Sequence, residues 1–159
     1  MSIGTADNIT FVEGRIDVGT PLAVPVVKAA KREIDDAGIV ILDAPPGTSC
    51  PVVATVAGCD YVLLVTEPTP FGLHDLKLAV ELVRELKISC GVVINRADIG
   101  TGEVEEYCRR EQIPVHMHIP FDRRFAETIA YGGLLVETFP SWRPKFHLLW
   151  QQVQEGVKA

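Results

Sequence analysis

The chain has no Cys-x-x-Cys pair, no run of more than two consecutive basic residues, and no apolar stretch approaching the ~20 residues of a membrane helix. Each absence removes a class of function. The four cysteines, Cys50, Cys59, Cys90 and Cys108, are spaced too widely to resemble the paired ligands of zinc or iron–sulfur sites. They read as free thiols in a reducing compartment. Without a basic cluster, and with a net charge of −6 and a pI near 5.2, a generic nucleic-acid surface is not expected. The N-terminus, with an acid at Asp7 and no apolar segment, does not read as a signal peptide. The expectation is a cytoplasmic protein that engages neither nucleic acid nor membrane.

What is present is enough for a buried core. At 159 residues, 47% hydrophobic and 23% charged, the composition is that of a soluble globular protein read as a single domain over 1–159. Unbroken aliphatic runs predict strands buried on both faces at Ile39–Asp43, Tyr61–Thr66, Gly91–Asn95 and Ile113–Ile119. Between them, three-to-four-residue periodicity predicts helices over Pro21–Ala37, Pro51–Ala57, Leu73–Leu86 and Glu103–Gln112. A further helix is expected from an Asp122 cap to Tyr131, and another in the tail from Pro144, whose Phe146–Val157 stripe should pack on the sheet. Ile9–Val18 reads as an edge strand, and residues 1–10 carry no strong pattern and are expected to be partly disordered. Strands alternating with helices over short connections predict an α/β three-layer sandwich on a mostly parallel sheet.

Parallel strands share a direction, so their exits gather on one edge, where open α/β sheets bind ligands. Three exits there are polar: Asp43 to Gly47, Thr66 to Pro70, and Asn95-Arg96. An acid such as Asp43, delivered by an aliphatic strand, can hold a metal ion through water. Gly47 has no side chain, so its amide can approach a phosphate. Asn95 offers donors and an acceptor on a short stem, which suits the edge of an adenine. Arg96 can stack on a ring or reach phosphate. His116 and His118, two apart in one predicted strand, would share a face, although a structural role is the simpler reading without a third ligand.

Taken together, these segments resemble the MinD/ParA branch of the P-loop ATPases, which includes the nitrogenase iron protein and Mrp-like carriers. The matching segments are Ile41–Thr48, Thr66–Thr69, Val92–Arg96 and Ile119–Asp122. The run Thr66–Leu76 is similar to the subgroup carrying an inserted ferredoxin segment. The resemblance implies a nucleotide-dependent switch or carrier tied to iron–sulfur or electron-transfer chemistry. It further implies ATP and magnesium as cofactors, a homodimer, and an iron–sulfur or redox protein partner. By the same resemblance Asp43 would hold magnesium through water and Gly47 would sense the γ-phosphate. Asn95, Arg96 and the loop Pro120-Phe121-Asp122 would contact adenine.

One part of that pattern is missing. No Gly-Lys-Thr or Gly-Lys-Ser occurs in the chain, and the ferredoxin cysteines are absent. The chain therefore resembles the C-terminal portion of such a domain, an incomplete P-loop NTPase fold that is not expected to bind nucleotide phosphates or hydrolyse ATP alone. In the family a phosphate-loop strand separates the strands matching Ile39–Asp43 and Tyr61–Thr66. Direct pairing of these two would close the gap, and filling by Ile9–Val18 or a second copy is the alternative. The competing functions are a non-catalytic interaction module and an amide-forming ligase of the cobyrinate or dethiobiotin synthetase type.

Overall fold

The computed structural model describes residues 1–16, 23–34 and 38–158. The chain's contacts gather into two compact units, Met1–Gly58 and Cys59–Ala159.

The first unit begins with a hairpin. Strands β1 (Ser2–Ala6) and β2 (Ile9–Glu13) pair antiparallel from Ser2 opposite Glu13 to Ala6 opposite Ile9. The two-residue turn between them holds Asp7 at φ 50°, a left-handed conformation that Asp tolerates better than most residues. Residues 1–10 are thus ordered by pairing, a long-range effect that their own pattern does not advertise. Because β2 pairs with β1, it does not fill a gap in a larger sheet. Val18 and the ends of the predicted helix Pro21–Ala37 lie outside the described residues. Within them that helix is α1 (Ala23–Lys31), followed by α2 (Cys50–Val56). Lys31 joins the two, its Nζ donating to the carbonyls of Ala54, Thr55 and Ala57 at 3.3, 2.8 and 2.7 Å. A cation at a helix carboxyl end satisfies carbonyls that the helix itself cannot.

Ile39–Asp43 is not a strand. It runs as irregular chain, with Ile39, Val40 and Ile41 exposed. An apolar β-branched run becomes a strand only when neighbouring strands take its backbone groups and its side chains find a surface to cover. Among the described residues no strand pairs with it, so the expected direct pairing with Tyr61–Thr66 does not form.

The second unit is α/β. Strands β3 (Tyr61–Thr66), β4 (Ser89–Asn95) and β5 (Val115–Ile119) form a parallel sheet in the order β3-β4-β5. Helices α3 (Pro70–Glu85) and α4 (Glu103–Arg110) make the two crossovers. Leu76 and Val80 of α3 and Val104, Tyr107 and Cys108 of α4 close over Val92 and Ile94 on one face. The other face is covered by residues of α5 (Arg123–Ala130), of a 3-10 turn at Pro140–Trp142 and of α7 (Arg143–Lys158), the single turn α6 (Leu135–Thr138) lying between α5 and the 3-10 turn. There Phe125, Phe139, Trp142, Phe146 and Leu149 pack around Val93 and Met117. Phe146 and Leu149 of the α7 stripe lie on the sheet as the sequence implied, while Val157 at its far end is exposed, and the three layers are helix, sheet, helix.

A bulge sets β5 apart from its sequence reading. Val92 lies opposite Val115 but Val93 lies opposite Met117, so His116 is an extra residue in the ladder. It turns towards α7's side, where its Nε2 meets the Tyr61 hydroxyl at 2.7 Å. His118 instead faces Glu105 of α4, at 3.6 Å. The two histidines therefore occupy opposite faces rather than sharing one. Tyr61 and His116 reach each other across the middle strand because residue 91 is glycine: a Cβ there would overlap both the imidazole and the phenol oxygen. Burial pushes the Tyr61 hydroxyl up to about 12 and lowers His116.

Candidate functional site

The carboxyl edge of the β3-β4-β5 sheet collects the exits that the sequence singled out in this unit. β3 ends on Thr66, a largely buried residue whose hydroxyl donates to the Gly72 carbonyl at 2.9 Å. Thr69 caps α3, its Oγ1 accepting from the Gly72 amide at 3.0 Å, and Pro70 opens the helix. The turn between sheet and helix is thereby fixed at both ends. It presents Glu67 to the neighbouring exit and leaves Phe71 83% exposed.

β4 ends on Asn95, and Arg96 turns the chain at φ 54°. A left-handed arginine costs about 1 kcal/mol relative to ordinary backbone, so contacts on both sides must hold it. The Ala97 amide donates to the Ile119 carbonyl at 3.0 Å, and the Ile99 amide donates to the Arg96 carbonyl at 3.1 Å. Proline at position 120 ends β5 because it has no amide to give. The next residue, Phe121, donates its amide to Asp98 Oδ1 at 2.6 Å. Its ring then lies under the Arg96 guanidinium, 4.8 Å from carbon to centroid. Arg96 also meets Glu67 at 3.5 Å.

Asn95, Arg96, Pro120 and Phe121 are thus brought together by adjacent strand ends. On the β3 side of Asn95 lies an open cleft of about 420 Å³ whose lining includes Thr66, Glu67, Thr69, Phe71, Asp75 and Asn95. Asp122 is placed differently. Its carboxylate caps α5 through the Arg124 amide at 2.9 Å and is gripped by the Arg124 guanidinium. That grip holds its carboxyl below the usual carboxylate range. Asp122 orients the start of α5 instead of offering free lone pairs. Asp43 and Gly47 belong to the first unit, both in exposed irregular chain, with Gly47 at φ 89°. Asp43 is therefore not delivered by a strand end. Among the described residues no group of three or more His, Cys, Asp or Glu side chains converges as a metal-ligand set.

No family model matches the chain. Two proteins of Methanocaldococcus jannaschii are similar to it. Uncharacterized protein MJ0579 is 32% identical over 128 residues, covering 79% of this chain and 44% of that protein. Uncharacterized protein MJ0578 is 23% identical over 149 residues, covering 92% of this chain and 51% of that protein. The chain spans about half the length of these curated relatives.

Two residues of the strand-end cluster escaped the sequence reading. Asp98 fixes the Phe121 amide, and its only sequence signal is its place two residues after Arg96. Glu67 sits inside the segment Thr66–Pro70 but shows its role only through the neighbouring strand. Among the described residues no helix is long and apolar enough to cross a membrane.

Proposed function

We infer that residues 59–159 form the base-binding part of an adenine-nucleotide-dependent switch or carrier of the MinD/ParA type. The observation that carries this reading is the convergence of Asn95, Arg96 and Phe121 at the ends of neighbouring parallel strands. An amide edge next to a cation stacked on an aromatic ring offers both things a purine needs, hydrogen bonds in its plane and a surface above it. The residues present fit a base. They do not supply a phosphate cradle, since the chain has no Gly-Lys-Thr or Gly-Lys-Ser. ATP with magnesium, a water-mediated metal contact from Asp43, γ-phosphate sensing by Gly47, and hydrolysis are proposed for a longer protein that also carries a phosphate loop. A homodimer, an iron–sulfur or redox partner and a cytoplasmic location belong to the same proposal.

Titration with adenosine and with ATP in magnesium-free buffer tests it. Both should bind weakly and with similar affinity, because only the base is held. Asn95→Ala should weaken binding by about 1 kcal/mol, the size of one lost hydrogen bond, and Asp43→Ala should leave it unchanged. Equal loss in both variants, or tight ATP binding with sustained phosphate release by this chain, would overturn the reading.

A further inference from the structure

We propose that Glu67 is a positioning residue of the base site: its carboxylate holds the Arg96 guanidinium against the Phe121 ring and so sets affinity for a purine through Arg96. The inference rests on the base-site reading above and extends it to a loop from a third strand. Arg96 has both an aromatic ring, at 4.8 Å, and a carboxylate, at 3.5 Å, as neighbours. Both groups of the ion pair are about two-fifths exposed, 43% for Arg96 and 39% for Glu67, so neither is held by burial. A guanidinium on a flexible stem at such exposure would sample many rotamers. An anion within ion-pair distance of the stacked guanidinium restricts it to that rotamer.

The geometry around the pair favours positioning over a chance surface contact. Glu67 is anchored at its own backbone, because the Thr69 amide donates to its carbonyl at 2.8 Å and Thr66 and Thr69 both bond to Gly72. The loop after β3 also abuts the loop after β4. Residue 100 is glycine, and a Cβ there would overlap the Pro68 ring. On the far side, Asp98 fixes the backbone of Phe121. The exits of β3, β4 and β5 are thus joined in one line, from Glu67 to Arg96 to Phe121. A disturbance in the Thr66–Pro70 loop reaches the Arg96 guanidinium through the Glu67 carboxylate.

Two measurements on the full chain separate this proposal from the reading beneath it. The first is the Arg96 side-chain Nε–H resonance, assigned by its loss in Arg96→Lys. The Phe121 ring current should displace it. Glu67→Ala should return it towards the position of a free arginine, and Glu67→Gln should do so in part. The second is titration with adenosine. Glu67→Ala should weaken binding about two- to fivefold, the range expected for losing an exposed charge pair, and should have no further effect in an Arg96→Ala background. An unmoved Arg96 signal in Glu67→Ala overturns the positioning role, as does undiminished binding. A signal that moves while wild-type chain binds no adenosine overturns the base site and leaves the Glu67–Arg96 contact standing. Unchanged thermal unfolding in Glu67→Ala is expected, and a collapsed melt would mark Glu67 as structural instead.

Discussion

The same kind of sequence has two fates in this chain. Ile39-Val40-Ile41-Leu42 and Tyr61–Thr66 are both unbroken aliphatic runs leading to a polar exit and prolines. The second is a strand with Leu63 and Leu64 packed into opposite cores, while the first lies exposed in irregular chain. The difference extends to the two units. In Cys59–Ala159, Val80, Val92 and Ile94 are fully buried and helices close both faces of the sheet. In Met1–Gly58 the buried positions among the described residues are Val52, Thr55 and Val56, all on α2. Apolar sequence supplies the potential for a strand, and only a partner on its edge and a surface over its face realise it.

The comparison can be broken most directly by truncating one isoleucine from each unit. Ile94→Ala empties a fully buried site in the middle strand and should cost about 2–5 kcal/mol in urea unfolding. Ile41 is 86% exposed, so Ile41→Ala should change stability by less than about 0.5 kcal/mol. Equal costs would mean that Ile41 is covered in solution and that the contrast is wrong.

A smaller effect separates the units by pH. Both tryptophans, Trp142 and Trp150, lie in Cys59–Ala159, so their fluorescence follows that unit alone. His116 is lowered by burial, so between its folded value and the ordinary 6.5 the unfolded chain binds the extra proton. Stability therefore falls as pH drops through that window. Tyr61 is raised from 10 to about 12, so the folded chain keeps a proton that the unfolded chain has lost, and stability falls again as pH rises from 10 to 12. Tyr61→Phe should shrink the alkaline limb of the fluorescence-detected stability profile without abolishing it, because burial also raises the Cys108 thiol, to about 11, and the Cys90 and Tyr107 groups. A limb of unchanged size would assign it wholly to those other groups.

The smallest effect sharpens the picture of the first unit. Lys31→Met deletes the donor to three carbonyls at the end of α2 and should loosen that helix by about 1 kcal/mol. Amide exchange at Ala57 should accelerate while Val92 stays protected. Equal acceleration at both would show that the two units unfold together.

The legibility of the sequence follows the same division. The bounds of Tyr61–Thr66, the crossover helices, the Asp122 cap and the α7 stripe could all be read, because each combines a local pattern with a sheet that accepts it. The strand beginning at Ile9 was read, but its partner β1 and the hairpin were not, because their order comes from cross-strand pairing. Nor was the bulge at His116, because period-two reasoning assumes an unbroken ladder and nothing local announces an extra residue. The single turn α6 and the 3-10 turn before α7 each span about one turn, so no periodicity can declare them. For the site, Asn95 and Arg96 were visible as a polar exit. Glu67 and Asp98 act across strands, and one chain's residue order does not encode which exits become neighbours.

The missing side chain at Gly91 has a mechanical consequence. Among the described residues β3 lies at one border of the sheet and β5 at the other, and ladder bonds tie each only to β4. The Tyr61–His116 bond, passing over the bare middle strand, acts as a tie-rod between the outer two. A force that tries to peel β3 away must stretch that rod as well as unzip the ladder, so β3 is braced from the far side. Substituting Ala at position 91 would drive a wedge under the rod while leaving every ladder bond nominally possible. The border strand would then detach at lower load, and the amino edge of the sheet would open before the carboxyl edge that carries Asn95 and Arg96.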